Sequence, residues 1–344
     1  MTRGRVIGLV LTAVFLVLAL RRVDLGAFVD ELRQMNYLWL LPSAACTLLG
    51  YLLRTVRWQV ILSGAARAPL RTLFPILMMG FATNNLLPGR LGEFWRAYLL
   101  GQKRNVRKTF ALASVFVERV FDGLVLIGLL GIVSLRVPLP AWGARVEQLA
   151  AAVFLGATVV LGLLLWQPTR ARTALGVLLR PAPRRVAAWI DEAFDGFVDG
   201  LRVLRQPSVL LLASGLSLSV WLLEGSSYLL LSRGIDLRLP LGLELPALGL
   251  TLVTINLGIM VPSAPGYVGT QEFFGTAALA VVGVGAETAL ALVLVSHAVQ
   301  YALVTALGLF FFAREHLSPA DLGAVTVEPN AAVAVAVDGA DRSF

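Results

Sequence analysis

The chain has 344 residues, of which 58% are hydrophobic and only 15% are charged. Together with a mean hydropathy of +0.80, this composition argues against a soluble domain and predicts an all-α polytopic membrane protein. In a membrane protein, the formal net charge of +8 indicates orientation in the membrane and contact with anionic lipid rather than binding of nucleic acid. One cysteine and two histidines far apart argue against a disulfide and a metal centre, and we expect no cofactor.

The apolar runs in chain order predict about six crossing helices. Arg3 and Arg5 precede the first run, which we interpret as an uncleaved helix leaving the cytoplasm. Residues 23–36 have the spacing of an amphipathic helix at the outer interface. Arg54 and Arg57, at the inner end of the second crossing, are expected to snorkel to the interface. The six predicted crossings are 6–20, 37–62, 109–135, 146–166, 208–231 and 287–313.

Two further segments outside the membrane complete the outline. Residues 167–207 are the most basic stretch and are therefore predicted to be cytoplasmic, with 186–204 packing on the membrane face through apolar residues at helical spacing. Residues 1–316 then form a single transmembrane domain. Residues 317–344 are rich in alanine, valine and aspartate without periodicity, which predicts a disordered C-terminal tail.

Two apolar stretches, 72–101 and 241–282, are interrupted by proline, glycine and ionisable residues. Hydrocarbon offers no hydrogen-bond partner to a broken helix, so each interruption must be buried in protein or line a wet cavity. Ionisable groups at that depth indicate a site by default. For 72–101, a re-entrant hairpin with Pro88-Gly89 at its tip and a pair of full crossings both satisfy the topology.

The two broken elements predict an inverted repeat. Basic loops place both flanks of the first element in the cytoplasm, whereas the second is flanked by the exterior. Repeat one would cover about 37–135 and repeat two about 208–313. The spacing agrees, since Glu118 follows Glu93 by 25 residues (118 − 93) and His297 follows Glu272 by 25 (297 − 272). Broken helices of such repeats meet near the midplane, where substrate sites lie.

Three groups of residues resemble a known family: Asn84 to Arg96 (NNLLPGRLGEFWR), Glu118-Arg119 with Asp122, and Pro265 to Gly269 (PGYVG) with Glu272. They are similar to the flippase-like integral membrane domain of lysylphosphatidylglycerol synthases, and the likeness runs from about residue 37 to 313. The resemblance implies movement of a lipid between leaflets. Because nothing after Ala313 resembles the soluble synthase domain, we expect lipid handling rather than synthesis.

The candidate substrate-binding residues come from these groups. Arginines would neutralise a phosphate, and glutamates would hold an amine or a proton. The full set is Asn85, Arg90, Glu93, Arg96, Glu118, Arg119, Asp122, Pro265, Gly266, Gly269 and Glu272.

Each candidate also has a purely structural interpretation. Arg90 and Glu93 would also suit an ion pair with each other that stabilises a broken helix. Glu118 and Asp122 share a helix face and also suit an interhelical charge network, in which Arg119 pairs with Glu93 or Glu272. Glu272 would equally suit an exposed position on an outer turn, Glu224 a buried pair with an arginine, and His297 helix packing rather than proton relay.

These features favour a lipid flippase or transporter of the cytoplasmic membrane, with both termini in the cytoplasm and no catalytic activity. Its partner would be an anionic or aminoacylated phospholipid, or a lipid-linked precursor, rather than nucleic acid. A second hypothesis is a membrane enzyme acting on a lipid-linked substrate with Glu93 and Glu118 as acid and base. A third is a non-transporting scaffold of a cell-envelope complex.

Overall fold

A computed structural model describes residues 3–317 except 22, 65–67, 88–89, 105, 140, 182, 241 and 261–264. Within that part, every regular element is an α-helix or a short 3₁₀ turn. The predicted all-α membrane fold is therefore confirmed. The predicted tail beyond residue 317 and the predicted tip at Pro88-Gly89 lie outside the described residues.

The bounds of the described helices agree closely with the apolar runs of the sequence, and the helices of the two broken elements are interrupted near proline and glycine residues. They are α1 Arg3–Leu20, α2 Leu25–Gln34, α3 Leu40–Leu62, α4 Leu70–Leu86, α5 Leu91–Arg104, α6 Lys108–Ser134, α7 Ala141–Trp166, α8 Pro168–Leu178, α9 Arg184–Leu201, α10 Pro207–Gly234, α11 Glu244–Gly258, α12 Thr270–Val281 and α13 Ala286–Arg314. Pro168 and Pro207 stand at the start of α8 and α10, where a missing backbone N–H costs nothing.

Among the residues that the structure describes, four stretches are long and apolar enough to cross a membrane: Tyr37–Leu62, Gly143–Trp166, Pro207–Gly234 and Ala286–Arg314. Helix α6 has 27 residues, which is ample length for a crossing, but it carries Glu118, Arg119 and Asp122 in its middle. The total of six crossings stays a prediction.

Each broken element is an antiparallel helical hairpin. In hairpin 1 (α4 and α5), Gly80 and Gly92 bring the two backbones so close that a Cβ on Gly92 would overlap the Gly80 carbonyl. At its open end, Arg104 Nη2 donates to Thr72 Oγ1 over 2.9 Å. In hairpin 2 (α11 and α12), a Cβ on Gly258 would overlap the Phe274 ring.

The hairpin helices are short for a membrane crossing. Helices α4 and α5 have 17 and 14 residues, and α11 and α12 have 15 and 12. At ~1.5 Å per residue these lengths are about 18 to 26 Å, below the ~30 Å of a hydrocarbon core. The lengths favour re-entrant hairpins over two full crossings.

The long helices α3 and α10 run antiparallel at the centre of the molecule. Asn36 N donates to Gly234 O over 2.8 Å at one end, and the hydroxyls of Ser43 and Ser227 lie 3.0 Å apart further along. Each of these two helices is followed by a hairpin and then by another long helix, α6 or α13. Hairpin 1 packs on α13 and hairpin 2 packs on α6. The antiparallel directions of α3 and α10 agree with the predicted inverted repeat, but the repeat itself stays a prediction.

The remaining helices cover the outside of this assembly. Helix α1 packs on α12, where the rings of Phe15 and Phe273 stack with centroids 5.3 Å apart. Helix α9 packs on α6, with Phe116 against Phe197, so the apolar pattern predicted for 186–204 faces the core of the protein. Helix α2 lies beside the start of α13, where Asp24 N donates to Glu287.

Candidate functional site

The tips of the two hairpins touch. Arg90, at the end of the hairpin 1 tip, donates from Nη2 to the Ile259 carbonyl of hairpin 2 over 3.2 Å. Its guanidinium lies 5.9 Å from the centroid of the Tyr267 ring. A Cβ on Gly266 would lie 3.3 Å from the Asn85 carbonyl oxygen. The interruptions of two helices more than 160 residues apart are thus brought together, as their composition predicted.

Both tips contain a residue in the left-handed backbone region that is not glycine. Arg90 has a φ of 54° and Tyr267 a φ of 61°. This conformation costs on the order of 1–3 kcal/mol and persists only where surrounding contacts enforce it. The two strained residues are the pair that meets in the cation–π contact.

A cavity of about 100 Å³, lined by polar and apolar side chains, lies between the tips and helices α3, α10 and α13. At ~10–15 Å³ per water, this volume has room for several water molecules or one small polar group. It does not have room for a whole lipid. The charged residues that line it are Arg54, Arg90, Glu93, Arg119 and Glu224.

Behind the cavity lies a buried charge network between α3, α5 and α6. Arg57 binds Asp122 over 2.5 Å and lies 3.5 Å from Glu118. Arg96 binds Glu118 over 2.7 Å and lies over the Trp58 ring, 4.2 Å from its centroid. These four charged side chains are at most 5% exposed. Buried charges of this kind are tolerated only when they are paired and hydrogen-bonded.

The charges that face the cavity are paired more loosely. Arg119 lies 3.4 Å from Glu93, and these side chains are 31% and 25% exposed, so they are at the open side of the cavity. Arg54 lies 3.3 Å from Glu224, which also accepts from Gln300 over 2.9 Å. The prediction that Glu224 pairs with an arginine is confirmed.

Arg90 differs from Arg54 and Arg119, the two arginines that line the cavity with it. Arg54 and Arg119 each have a carboxylate within 4.0 Å, whereas Arg90 has none among the described residues and donates only to a backbone carbonyl. A second donor is free in the same place, because Gln271 is 3% exposed and its Nε2 has no hydrogen-bond partner within the described part of the chain. The cavity therefore presents one unbalanced positive charge and one unused buried donor.

Hairpin 2 is fixed to α13 through Glu272 and His297. His297 Nδ1 lies 2.6 Å from Glu272 Oε1, and His297 Nε2 lies 2.8 Å from the Gly266 carbonyl. Glu272 is 2% exposed, so the interpretation of Glu272 as an exposed residue on an outer turn is wrong. His297 lines the cavity.

Of the eleven candidate residues, five line the cavity: Asn85, Arg90, Glu93, Arg119 and Gly266. Arg96, Glu118 and Asp122 belong to the buried network, which matches the interhelical charge network considered for the two carboxylates. Glu272 and Gly269 bind each other, with Gly269 N donating to Glu272 Oε2 over 2.6 Å. Pro265 begins the 3₁₀ turn of the tip.

The predicted snorkelling of Arg54 and Arg57 is wrong. These residues do not reach the interface, since they are 7% and 1% exposed and pair with carboxylates of α6 and α10. An arginine near the end of an apolar run looks the same in either role. The distinguishing signal was the presence of Glu118, Asp122 and Glu224 in other apolar helices, because buried acids require buried cations.

Comparison with known proteins agrees with this picture. Residues 5–308 match the family described as the lysylphosphatidylglycerol synthase TM region. A UPF0104 membrane protein of Methanothermobacter thermautotrophicus is 26% identical over 88% of this chain and 92% of its own length. The glycosyltransferase AglD of Haloferax volcanii is 30% identical over 37% of this chain and 21% of its own length. No solved structure matches the chain. Because the match covers most of its length, the chain belongs to the family of the lysylphosphatidylglycerol synthase transmembrane region.

Proposed function

We propose that the protein binds the polar headgroup of an anionic lipid in the cavity between the hairpin tips and moves that lipid between leaflets. The observation that carries the proposal is Arg90, which lines the cavity without a carboxylate partner in the described chain. A positive charge in a membrane protein is costly unless an anion balances it. A lipid phosphate is an anion that enters such a site from the bilayer.

The donors around the cavity suit a phosphate. A guanidinium binds phosphate oxygens through two parallel N–H groups, and the unused Nε2 of Gln271 would donate to a third oxygen. Since the cavity measures about 100 Å³, the headgroup alone would enter while the acyl chains stay in the surrounding lipid. Glu93 and Arg119 at the open side would meet the headgroup first.

We assign the buried network a supporting role. Arg96, Glu118 and Asp122 already neutralise one another or Arg57, so a lipid would have to break a buried pair to reach them. Their contacts would hold α5 and α6 in place beneath the moving headgroup. Direct binding then falls to Asn85, Arg90, Glu93, Arg119 and Gln271.

We place the protein in the cytoplasmic membrane with both ends of the transmembrane domain inside. The basic residues gather where hairpin 1 opens. Lys103 pairs there with Glu315, so the end of α13 lies on the same side as the basic loop at 102–108. The positive-inside rule assigns that side to the cytoplasm.

An enzyme that uses Glu93 and Glu118 as acid and base is less well supported. Glu118 is 1% exposed and bound to Arg96, whereas Glu93 faces the cavity. The two carboxylates therefore do not share one accessible space. A scaffold without transport predicts instead that the cavity charges affect neither binding nor movement of lipid.

The test is transport of a fluorescent phosphatidylglycerol in reconstituted vesicles, read as the fraction that a membrane-impermeant reductant quenches over time. Arg90→Gln should slow transport at least tenfold, since a charged hydrogen bond contributes about 1.5–3 kcal/mol. Arg71→Gln, at the exposed open end of the same hairpin, is the matched control and should leave the rate unchanged. Equal rates for wild type and a folded Arg90→Gln variant would contradict the proposed role of Arg90, and a wild-type rate no higher than that of protein-free vesicles would favour the scaffold.

A further inference from the structure

The contact between Glu272 and His297 holds both ends of the turn at the tip of hairpin 2. Gly269 N donates to Glu272 Oε2 over 2.6 Å at one end of the turn. At the other end, the Gly266 carbonyl lies 2.8 Å from His297 Nε2. A contact of 2.6 Å between His297 Nδ1 and Glu272 Oε1 closes the ring. Both side chains are at most 9% exposed.

The geometry of this contact fixes the number of protons it holds. A carbonyl oxygen only accepts, so His297 Nε2 carries a hydrogen towards Gly266. At 2.6 Å, the remaining ring nitrogen and the carboxylate oxygen attract only if a proton lies between them, whichever atom it is bonded to. With that proton the pair is neutral overall. Without it, a single ring hydrogen remains, so either the contact with Glu272 or the contact with Gly266 lacks a hydrogen and opens.

The turn connects this proton to the anion site. Tyr267 has a φ of 61°, a strained value for a residue other than glycine, and Gly266 and Gly269 beside it have φ values of 69° and 82°, so the turn depends on the contacts at its ends. Tyr267 is the residue whose ring lies against the Arg90 guanidinium. Opening of the Glu272–His297 contact would therefore release the aromatic side chain that positions Arg90.

The carboxylates around the pair have arginine partners. Glu224 on α10 is bound to Arg54, and Glu93 on α5 is bound to Arg119. A histidine is the side chain suited to exchange a proton near neutral pH. The groups that share the cavity or contact the pair from neighbouring elements are Arg90 on hairpin 1, Tyr228 and Glu224 on α10, Tyr267 on the turn and Tyr301 on α13.

We propose that the Glu272–His297 pair is the binding site of a proton that crosses the membrane together with the anionic headgroup, an inference that rests on the proposed function. The proton comes from water on one side of the membrane, is held between Nδ1 and Oε1, and returns to water on the other side. When it is bound, the pair is neutral and Arg90 supplies one positive charge for a singly charged phosphodiester. One proton and one monoanion leave together, so the cycle moves no net charge.

This stoichiometry predicts which gradient drives transport. A difference of one pH unit is worth about 1.4 kcal/mol per proton, which supports up to a tenfold ratio of lipid between leaflets, accumulated on the alkaline side. A membrane potential acts only on net charge and should have no effect. Movement of the anion alone would show the reverse dependence.

The experiment uses full-length protein in vesicles containing fluorescent phosphatidylglycerol, with the pH difference and the potassium diffusion potential imposed separately. With wild type, the ratio of fluorescent lipid between the two leaflets should approach ten per pH unit and should not change with the membrane potential. Glu272→Gln with His297→Gln retains groups that can bond Gly269 and Gly266 but removes the exchangeable proton. This double variant should still equilibrate lipid between leaflets while showing no pH-driven ratio. Glu287→Gln, at the other end of α13, is the control and should respond as wild type does.

The outcomes separate this inference from the proposed function. Transport that depends on Arg90 but not on a pH difference would contradict the proton site without contradicting the proposed lipid transport. Transport driven by the membrane potential would have the same consequence. If wild type moves no lipid, the proposed function fails, and calorimetric titration with dioctanoyl phosphatidylglycerol in two buffers decides about the proton. Uptake of about one proton per lipid, absent from Glu272→Gln, supports the site; no uptake by wild type at any pH from 5 to 9 overturns it.

Discussion

Replacing Glu118 by glutamine removes the carboxylate that two buried arginines share. Arg96 lies 2.7 Å and Arg57 lies 3.5 Å from Glu118. Arg57 keeps Asp122 at 2.5 Å, but Arg96, which is 3% exposed, loses its one carboxylate within 4.0 Å among the described residues. The substitution therefore leaves a charge that is both buried and unpaired.

The size of the expected loss in unfolding free energy follows from the burial of Arg96. Removing one partner of a buried ion pair costs about 3–5 kcal/mol because the other charge stays behind. Glu93→Gln is the matched comparison, since it removes the same group from an ion pair whose arginine is 31% exposed and still lies 3.7 Å from Asp122. An ion pair of that exposure contributes about 0–1 kcal/mol. The two variants should differ in unfolding free energy by roughly 3 kcal/mol.

Thermal unfolding in detergent, followed by intrinsic tryptophan fluorescence, measures this difference. With an unfolding entropy of ~2.1 cal/mol/K per residue over 344 residues, 3–5 kcal/mol corresponds to a fall in Tm of about 4–7 °C for Glu118→Gln. Glu93→Gln should stay within about 1 °C of wild type. The double replacement Arg96→Met with Glu118→Leu should recover most of the loss, because it removes both charges. Equal melting of the two single variants would refute the buried network.

Two further predictions concern the hairpins. Gly92→Ala places a Cβ against the Gly80 carbonyl and should destabilise the protein by about 1–3 kcal/mol through overpacking. The control Gly128→Ala adds a Cβ that meets open space and should leave Tm unchanged. Similar Tm values for the two variants would mean that α4 and α5 do not pack as described. In a chain lacking its one cysteine, Arg71→Cys and Arg238→Cys should react with an impermeant thiol reagent from opposite sides of the membrane, with Arg71→Cys reached from the cytoplasm. Labelling of both from one side would exclude hairpins inserted from opposite faces.

The hairpins were predictable from sequence because their cause is local. Proline, glycine and charge within 84–93 and 256–272 cannot continue a helix in hydrocarbon, so the breaks and their burial follow from the residues themselves. Basic loops then predicted opposite directions for the two hairpins. A contact between the tips was expected from those predicted directions, and Arg90 lies against Ile259 and Tyr267.

The pairing of charges could not be predicted in the same way. Each buried arginine has several acids within the membrane, and the sequence does not say which helices are neighbours. Arg57 pairs with Asp122, 65 positions away, and Arg54 pairs with Glu224, 170 positions away. These choices depend on the antiparallel packing of α3 on α10 and on its contact with α6. Four of the candidate residues consequently lie behind the cavity or beneath its turn rather than in it: Arg96, Glu118, Asp122 and Glu272.

The two hairpins differ in one respect that assigns them different roles. In hairpin 1 the exit helix α5 is joined to the next long helix by Arg96 and Glu118. In hairpin 2 the exit helix α12 is joined to α13 by Glu272 and His297. A guanidinium keeps its proton at any physiological pH, whereas an imidazole exchanges it. Because an imidazole exchanges its proton near neutral pH, we expect the joint of hairpin 2 to respond to a proton there, so that hairpin 2 moves against a fixed hairpin 1 in the proposed transport.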